Sequence, residues 1–241
     1  IYAHMDSIGF TVKYNNEIIK IGGPVIKNGI ELVGSDSKGK IEGKIIKKDE
    51  KVFIDFKRVI DRGTSLTFKM NFKEDNAYIQ SCYLDNRLGV WNALKVAENL
   101  EDGIIVFSCW EEHGGGSVGF LTNFIHSKYN INKALISDIT WVTEGIKAGE
   151  GVVISLRDSG IPRRTYINKI VKLAKESNIN FQLEVESSGG SDGNEIQKSP
   201  YPIDWCFIGA PEQNVHSPKE KVHKNDIQAM VDIYKYLMEN L

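Results

Sequence analysis

The chain has 241 residues, of which 41% are hydrophobic and 26% are charged, a composition typical of a globular protein with a sizeable core. Its 30 basic and 32 acidic side chains leave a net charge of −2, which argues against nucleic acid as a partner because nucleic-acid-binding proteins usually carry a basic excess. No apolar run reaches the ~20 residues that span a bilayer, and three cysteines do not make a disulfide framework. We therefore expect a cytoplasmic protein with no membrane partner.

The first long segment of the chain, residues 9–80, is rich in Val, Ile, Phe and Lys at a period of two, with turn residues between the alternating runs. Short alternating strands predict a small antiparallel barrel or sandwich. The residues before it read as the end of a strand. We therefore expect residues 9–80 to be a β-rich insert in a catalytic domain made of residues 1–8 and 81–241, whose N-terminal part is missing from this chain.

From about residue 84, helical patterns alternate with short, continuously apolar strands. The last helix shows the pattern most clearly, with apolar residues at i, i+3, i+4 and i+7 between Ile227 and Leu237. Apolar strands covered by helices predict a mostly parallel mixed sheet that is buried on both faces. The predicted fold class is therefore α/β, interrupted by the small barrel-like insert.

Acidic and imidazole side chains follow five of the predicted strands of the α/β domain. In an open α/β sheet the carboxyl ends of the strands form the ligand crevice, and mixed histidine and carboxylate ligands suit Zn, Co or Mn. Any one of these residues alone is more typical of a helix cap or a turn, but their agreement in position predicts a metal site. The candidates are His4, Asp6, Asp85, Glu111, Glu112, Asp138 and His216.

A competing motif overlaps this site. Residues Gly114 to Gly119 match the G-x-G-x-x-G pattern of dinucleotide binding. The adjacent Glu111 and Glu112 stand between the preceding strand and these glycines, where their charge would repel a pyrophosphate. We therefore expect the glycines to let the backbone pass close to the metal site and expect no nucleotide cofactor.

Six short motifs mark the order of the candidate residues along the chain. They are Ala3-His-Met-Asp-Ser-Ile-Gly-Phe10, Leu84-Asp-Asn-Arg-Leu-Gly89, Trp110-Glu-Glu112, Ile136-Ser-Asp138, Gly189-Gly-Ser-Asp192 and Val215-His-Ser-Pro218. In sequence and in order, these motifs resemble the dinuclear aminopeptidases of metallopeptidase family 42, which include the tetrahedral and glutamyl aminopeptidases. The resemblance covers nearly the whole chain.

The resemblance implies two divalent metal ions, Zn or Co with Mn as a further choice. By the resemblance, Asp85 is the carboxylate that bridges the two ions. Glu112 and His216 complete the ligands of one ion, and His4 and Asp138 complete those of the other.

The same resemblance implies hydrolysis of the N-terminal residue from a peptide with a free N-terminus. It makes Glu111 the general base and Asp6 the residue that orients His4, and it implies a homo-oligomer, a dimer or larger, with contacts through the insert. Two alternatives stay open: another metal-dependent amidohydrolase, such as a deacetylase or carboxypeptidase, and a non-catalytic metal-binding relative.

Overall fold

The structure is a computed structural model that describes residues 1–241. It contains fifteen strands and five helices. In chain order they are β1 (Tyr2–His4), β2 (Gly9–Val12), β3 (Ile18–Ile21), β4 (Glu31–Asp36), β5 (Gly39–Lys48), β6 (Lys51–Asp55), β7 (Ser65–Phe68), β8 (Lys73–Glu74), β9 (Tyr78–Ser81), α1 (Leu84–Ala97), β10 (Val106–Ser108), α2 (Val118–Tyr129), β11 (Lys133–Trp141), β12 (Val152–Arg157), α3 (Arg164–Glu176), β13 (Phe181–Val185), α4 (Asp192–Lys198), β14 (Asp204–Gln213), β15 (Glu220–His223) and α5 (Lys224–Asn240).

The larger of two sheets has nine strands. Its strands β10, β1, β11 and β14 are parallel, and β14 also pairs antiparallel with β12 and with β15. Strand β13 extends the sheet beyond β12, and β9 and β8 extend it beyond β15. The predicted mixed, mostly parallel α/β sheet is confirmed.

Helices cover both faces of this sheet because its central strands are apolar at successive positions. Leu135 of β11 and Ile208 of β14 pack in one cluster with α1, α3 and α5. Ile136 and Phe207, their neighbours in sequence, point to the opposite face and pack with α2 and α4. The alternation follows the two-residue period of a strand, and it holds the sheet rigidly between two layers of helices.

Replacing Tyr234 with phenylalanine is expected to lower the free energy of unfolding by about 1–3 kcal/mol. Tyr234 is fully buried on α5, and its hydroxyl donates to the main-chain oxygens of Ile136 at 2.5 Å and Ile208 at 2.9 Å. It therefore links α5 to β11 and β14, two central strands of the larger sheet. Urea denaturation measures the change, and the half-buried Tyr236 is the matched control, for which a phenylalanine should cost less than about 0.5 kcal/mol.

The smaller sheet has six antiparallel strands in the order β3-β2-β7-β4-β5-β6. Glu17, just before β3, forms a bridge with Phe53 of β6, so the first and last strands of the sheet meet and nearly close a barrel. Phe10, Leu32 and Leu66 fill its interior with no exposed surface. The barrel-like part of the fold prediction is confirmed.

The six-stranded sheet spans residues 9–68, which is shorter than the predicted insert of residues 9–80. Strands β8 and β9 instead pair with the edge of the larger sheet through β15, whereas Cys82 and Tyr83 pack in the apolar cluster of the smaller sheet. The two sheets therefore share the segment between Phe68 and Leu84, and a domain boundary at residues 80–81 stays a prediction. None of the five helices combines the length and the apolar character that crossing a lipid bilayer requires.

Candidate metal centre

Parallel strands bring the first predicted ligands together. Strand β1 ends at His4, and its register pairs Tyr2 with Ile136 of β11, so Asp138, two residues further along β11, lies beside His4. The sequence places Asp138 at the end of a strand, but β11 continues to Trp141, because its other edge stays paired with β14 through all nine residues. Beyond the end of β1, the edge of β11 that faces β1 is unpaired, and Asp138 lies there beside His4.

Left-handed backbone conformations position three other predicted site residues, Asp85, Glu111 and His216. Tyr83, Trp110 and His216 have φ angles of 64°, 69° and 60°, a left-handed conformation that is uncommon outside glycine. Tyr83 turns the chain just before Asp85 at the start of α1, Trp110 turns it before Glu111, and His216 lies in the turn between β14 and β15. Strained conformations of this kind cluster at functional sites, where the surrounding structure holds them.

The first candidate ligand group consists of His4, Asp85 and Asp138. The Nε2 atom of His4 lies 3.2 Å from Asp85 Oδ1 and 3.5 Å from Asp138 Oδ2. All three residues are buried. Imidazole and carboxylate atoms that converge at this distance, away from solvent, form a donor set suited to a transition-metal ion.

The second candidate ligand group consists of Asp85, Glu112 and His216. The Nε2 atom of His216 lies 3.3 Å from Asp85 Oδ2 and 3.3 Å from Glu112 Oε2. Asp85 therefore belongs to both groups and presents a different oxygen to each histidine. The structure brings together all five residues that the resemblance names as ligands.

Orphaned oxygens and shifted pKa values test whether a cation fits these groups. Asp85 Oδ1 and Glu112 Oε1 are buried and make no hydrogen bond, which is costly for a carboxylate unless a cation takes the place of a donor. Burial, together with the charge of Asp85, raises the pKa of Glu112 to about 8. Burial opposes protonation of His216, but its contact with Asp85 and the charge of Glu112 outweigh burial and raise its pKa to about 9. This excess of negative charge fits bound divalent cations.

Glu111 lies beside the groups without belonging to either. Its Oε2 atom is 3.8 Å from His4 Nε2. Burial and the charge of Asp138 raise its pKa to about 9. Glu111 is thus a buried carboxyl group next to the candidate metal ligands but outside both groups, and cations that neutralise Asp138 would lower its pKa.

Asp6 connects the segment that carries His4 with the segment that carries Glu111 and Glu112. Its main-chain oxygen lies 3.1 Å from His4 Nδ1 and its Oδ1 atom 3.6 Å from the same nitrogen. Its Oδ1 and Oδ2 atoms also accept hydrogen bonds from the main-chain N–H groups of Glu111 at 3.1 Å and Glu112 at 3.2 Å. The family resemblance implies only the contact with His4, because nothing local indicates that Glu111, 105 positions away, would meet Asp6.

Two further residues hold the site in place and were not singled out by their sequence. Glu220 is fully buried and its Oε2 atom accepts a hydrogen bond of 2.7 Å from the N–H of Leu84, next to Asp85. Gly23 of the smaller sheet's β3–β4 connection leaves room for the ring of His216, since a Cβ atom there would lie 3.1 Å from Nδ1. The turn at Gly22 and Gly23 is visible in the sequence, but its contact across the fold is not.

The glycine run after the glutamates makes its close contacts with Glu195 and with the ring of Trp110, and none of its glycines approaches a candidate metal ligand as closely. Gly115 has a φ of 68°, and a Cβ atom there would lie 2.2 Å from Glu195 Cγ, so the glycine permits close approach of α4. His113, which is next to the glutamates in sequence, is exposed. It does not line the cavity that contains Asp85, Glu112, Asp138 and His216.

Without metal, the chain is expected to lose stability as the pH rises from about 5 to 9. Glu111, Glu112 and His216 have ordinary pKa values of 4.5, 4.5 and 6.5 and folded values near 9, 8 and 9. In this pH range the folded chain binds more protons than the unfolded chain, so the free energy of unfolding falls with rising pH, by at least about 2 kcal/mol. Asp85, with a pKa of about 2, contributes only below this range.

Urea midpoints of the chelator-treated chain at pH 5.5 and pH 8.5 measure this loss. Added zinc should reduce it, because metal binds the ionised ligands. A metal-free stability that is flat or rises over this interval would contradict the assignment of these protonation states.

The fold and the site together define an α/β protein with a candidate centre for metal ions. A sequence profile described as M42 glutamyl aminopeptidase matches residues 37–233. This match covers most of the chain, and the chain belongs to that family. The resemblance predicted from the six motifs is confirmed.

Individual relatives agree with this assignment. A protein of Acetivibrio thermocellus, whose name assigns it provisionally to the aminopeptidases, is 29% identical over 160 residues, which are 62% of this chain and 48% of the relative. The chain therefore spans about half the length of this curated relative.

Solved structures show the same fold. The aminopeptidase APDkam598 of Desulfurococcus kamchatkensis has a TM-score of 0.87 and 23% identity, over 100% of this chain and 78% of that one. The TET1 peptidase of Pyrococcus horikoshii, described as able to assemble into a tetrahedron or a large octahedral shell, has a TM-score of 0.83 and 24% identity, over 100% of this chain and 83% of that one.

Proposed function

We propose that this chain is the catalytic part of a metal-dependent aminopeptidase, which hydrolyses the N-terminal residue from peptides with a free N-terminus. The observation that carries the proposal is the pair of ligand groups that share Asp85, with Glu111 beside them. Membership of the family and the names of the relatives support it.

The proposed cofactors are two divalent metal ions, Zn or Co, with Mn as a further choice. One ion would be held by His4, Asp85 and Asp138, the other by Asp85, Glu112 and His216. Bound there, the ions supply Lewis acidity and lower the pKa of water. The mixed histidine and carboxylate donors support this choice of metals over Ca or Mg.

The proposed roles of the remaining residues follow from their contacts. Glu111 Oε2 accepts the proton of the attacking water and returns it to the leaving amine, a contribution of about 10²–10⁴-fold. Asp6 keeps Glu111 in reach by holding its main-chain N–H, and it orients the ring of His4 through Nδ1. These bonds fix the base before substrate arrives, so little reorganisation is needed during the reaction.

A substrate panel tests the proposed activity. With two equivalents of zinc or cobalt, the chain should release aniline from unblocked aminoacyl anilides and leave the N-acetylated forms of the same anilides intact. If only the blocked substrates were cleaved, the proposed aminopeptidase activity would be wrong, and another amidohydrolase activity, such as that of a deacetylase or carboxypeptidase, would be indicated. Binding of two metal equivalents without turnover of any substrate would favour a non-catalytic metal-binding protein.

We also propose a cytoplasmic homo-oligomer, a dimer or larger. The description of the Pyrococcus horikoshii peptidase as a tetrahedral or octahedral assembly supports oligomerisation, and the three unpaired cysteines support a reducing compartment. Sedimentation at micromolar concentration tests the first point, and the mass of a single chain would contradict it.

A further inference from the structure

A second set of carboxyl groups lines the cavity that contains four of the five candidate metal ligands, Asp85, Glu112, Asp138 and His216. Asp158 directly follows β12, Glu184 lies in β13, and Glu186 directly follows β13. Strands β12 and β13 are parallel neighbours, so their carboxyl ends bring the three side chains to one wall of the cavity, whose volume is about 360 Å³. None of the three belongs to either ligand group.

The protein holds these carboxyl groups in fixed positions. The hydroxyl of Thr140 donates to Glu184 Oε1 at 2.5 Å, and that of Thr143 donates to Glu186 Oε1 at 2.7 Å. The N–H of Gly160 donates to Asp158 Oδ1 at 2.5 Å. Each side chain therefore keeps one oxygen bonded to the protein.

The second carboxylate oxygen of Asp158 has no hydrogen-bond donor. Asp158 is only 4% exposed, and its Oδ2 atom is buried without any hydrogen bond. A buried carboxylate oxygen without a donor is costly. Because Asp158 lines the cavity, a positively charged group that enters the cavity would offset the charge of this carboxylate.

The basic side chains nearby do not fill this role. Lys198 lines the cavity but lies 2.7 Å from Glu195, in an ion pair on α4. Arg157 precedes Asp158, and its Nε atom donates to the main-chain oxygen of Asp158 at 3.3 Å rather than to the carboxylate. The carboxylate wall is therefore available to a cation from a ligand.

The cavity is poorly suited to an apolar or acidic side chain. Three of its 23 lining residues are hydrophobic, so an apolar side chain would remove the carboxyl groups from water and offer them no partner. A carboxylate side chain would meet charges of its own sign. A lysine or arginine side chain would instead pair with the wall through charged hydrogen bonds, which are the strong ones.

We propose that Asp158, Glu184 and Glu186 form the pocket for the substrate's N-terminal side chain and that they select peptides beginning with lysine or arginine. This inference rests on the aminopeptidase function proposed above and names the substrate class of the same site.

Binding of two matched ligands tests the inference independently of turnover. Lysinamide and norleucinamide have the same α-amino group and the same four-carbon side chain, and they differ by the terminal ammonium group. Calorimetry uses the zinc-loaded Glu111→Gln chain, which lacks the proposed base and so leaves both amides uncleaved, and this chain is also the background for the substitutions below. It should bind lysinamide at least about 10-fold more tightly, the effect of one hydrogen bond between charged groups. Equal affinities would overturn the proposal.

Substitutions locate the effect. Asp158→Asn keeps the acceptor for Gly160 and should reduce the ratio of lysinamide to norleucinamide affinity by about 10-fold or more. Should this variant fail to fold, Glu186→Gln, at a half-buried position, tests the same wall. The matched control is Glu176→Gln at the end of α3, which removes the same charge outside the cavity and should leave the ratio unchanged.

Two outcomes separate this pocket from the rest of the site. If Asp158→Asn weakened both ligands equally, the wall would hold the α-ammonium group that every N-terminus carries, and the selectivity would be wrong. If no aminoacyl anilide were hydrolysed, the proposed function would fail, whereas a preference for lysinamide in binding would still support the cationic pocket.

Discussion

Replacing Glu111 with glutamine is expected to lower the hydrolysis of aminoacyl anilides by about 10²–10⁴-fold while two metal ions stay bound. Glutamine has nearly the same shape as glutamate but cannot accept a proton from water. Glu111 lies outside both ligand groups, and its main-chain N–H would still bond to Asp6. The measurement is kcat together with the metal content of the same sample by plasma emission spectrometry.

Glu112→Gln is the matched control for this change. It alters the neighbouring glutamate in the same way, but Glu112 Oε2 lies 3.3 Å from His216 Nε2 within a ligand group, so this variant should lose metal along with activity. If Glu111→Gln released metal and Glu112→Gln kept it, the roles of the two glutamates would be reversed. Near-normal turnover of Glu111→Gln would remove it from the mechanism.

Local sequence patterns predicted the layers of the fold well. The apolar stripe that ends at Leu237 lies on α5, which is buried against the sheet, and the alternating segments form the nearly closed six-stranded sheet. The limit of the insert was harder to predict, because β8 and β9 alternate like the strands before them and only long-range pairing assigns them to the larger sheet. Periodicity identifies a strand but does not identify its partner.

The candidate site shows the same division between local and long-range information. His4 and Asp138 could be placed together because neighbouring parallel strands end at one edge. The bonds from Asp6 to the N–H groups of Glu111 and Glu112 depend on a loop conformation that the sequence does not reveal. The choice between two adjacent glutamates as base came from the resemblance alone. In the structure Glu112 lies in a ligand group with His216, and Glu111 lies outside both groups.

The carboxylate wall could not be predicted from the sequence at all. Asp158, Glu184 and Glu186 belong to no motif, and acidic residues at strand ends are ordinary features of a soluble domain. Only the parallel pairing of β12 with β13 and the unpartnered oxygen of Asp158 distinguish them. Specificity of this kind depends on the shape and charge of a cavity rather than on a pattern along the chain.

Replacing Asp85 with asparagine is expected to release metal and abolish activity together. Asp85 contributes one oxygen to each ligand group, so its charge serves both sites. Asparagine keeps the size of the side chain but loses the charge and one of the two oxygens. Since even an outer partner of a ligand contributes about 10–100-fold to metal affinity, the loss of a shared ligand should weaken binding at least about 100-fold.

Calorimetric titration of the chelator-treated variant with zinc measures this loss of metal affinity. Circular dichroism checks that the variant folds. Asp102→Asn, in an exposed loop before β10, is the control and should bind metal normally. The pKa of His216 should also fall in metal-free Asp85→Asn, because contact with Asp85 is the main cause that raises it. If the variant instead bound one ion at normal affinity and lost the other, Asp85 would belong to a single site, and the proposed sharing of one carboxylate between two ions would be wrong.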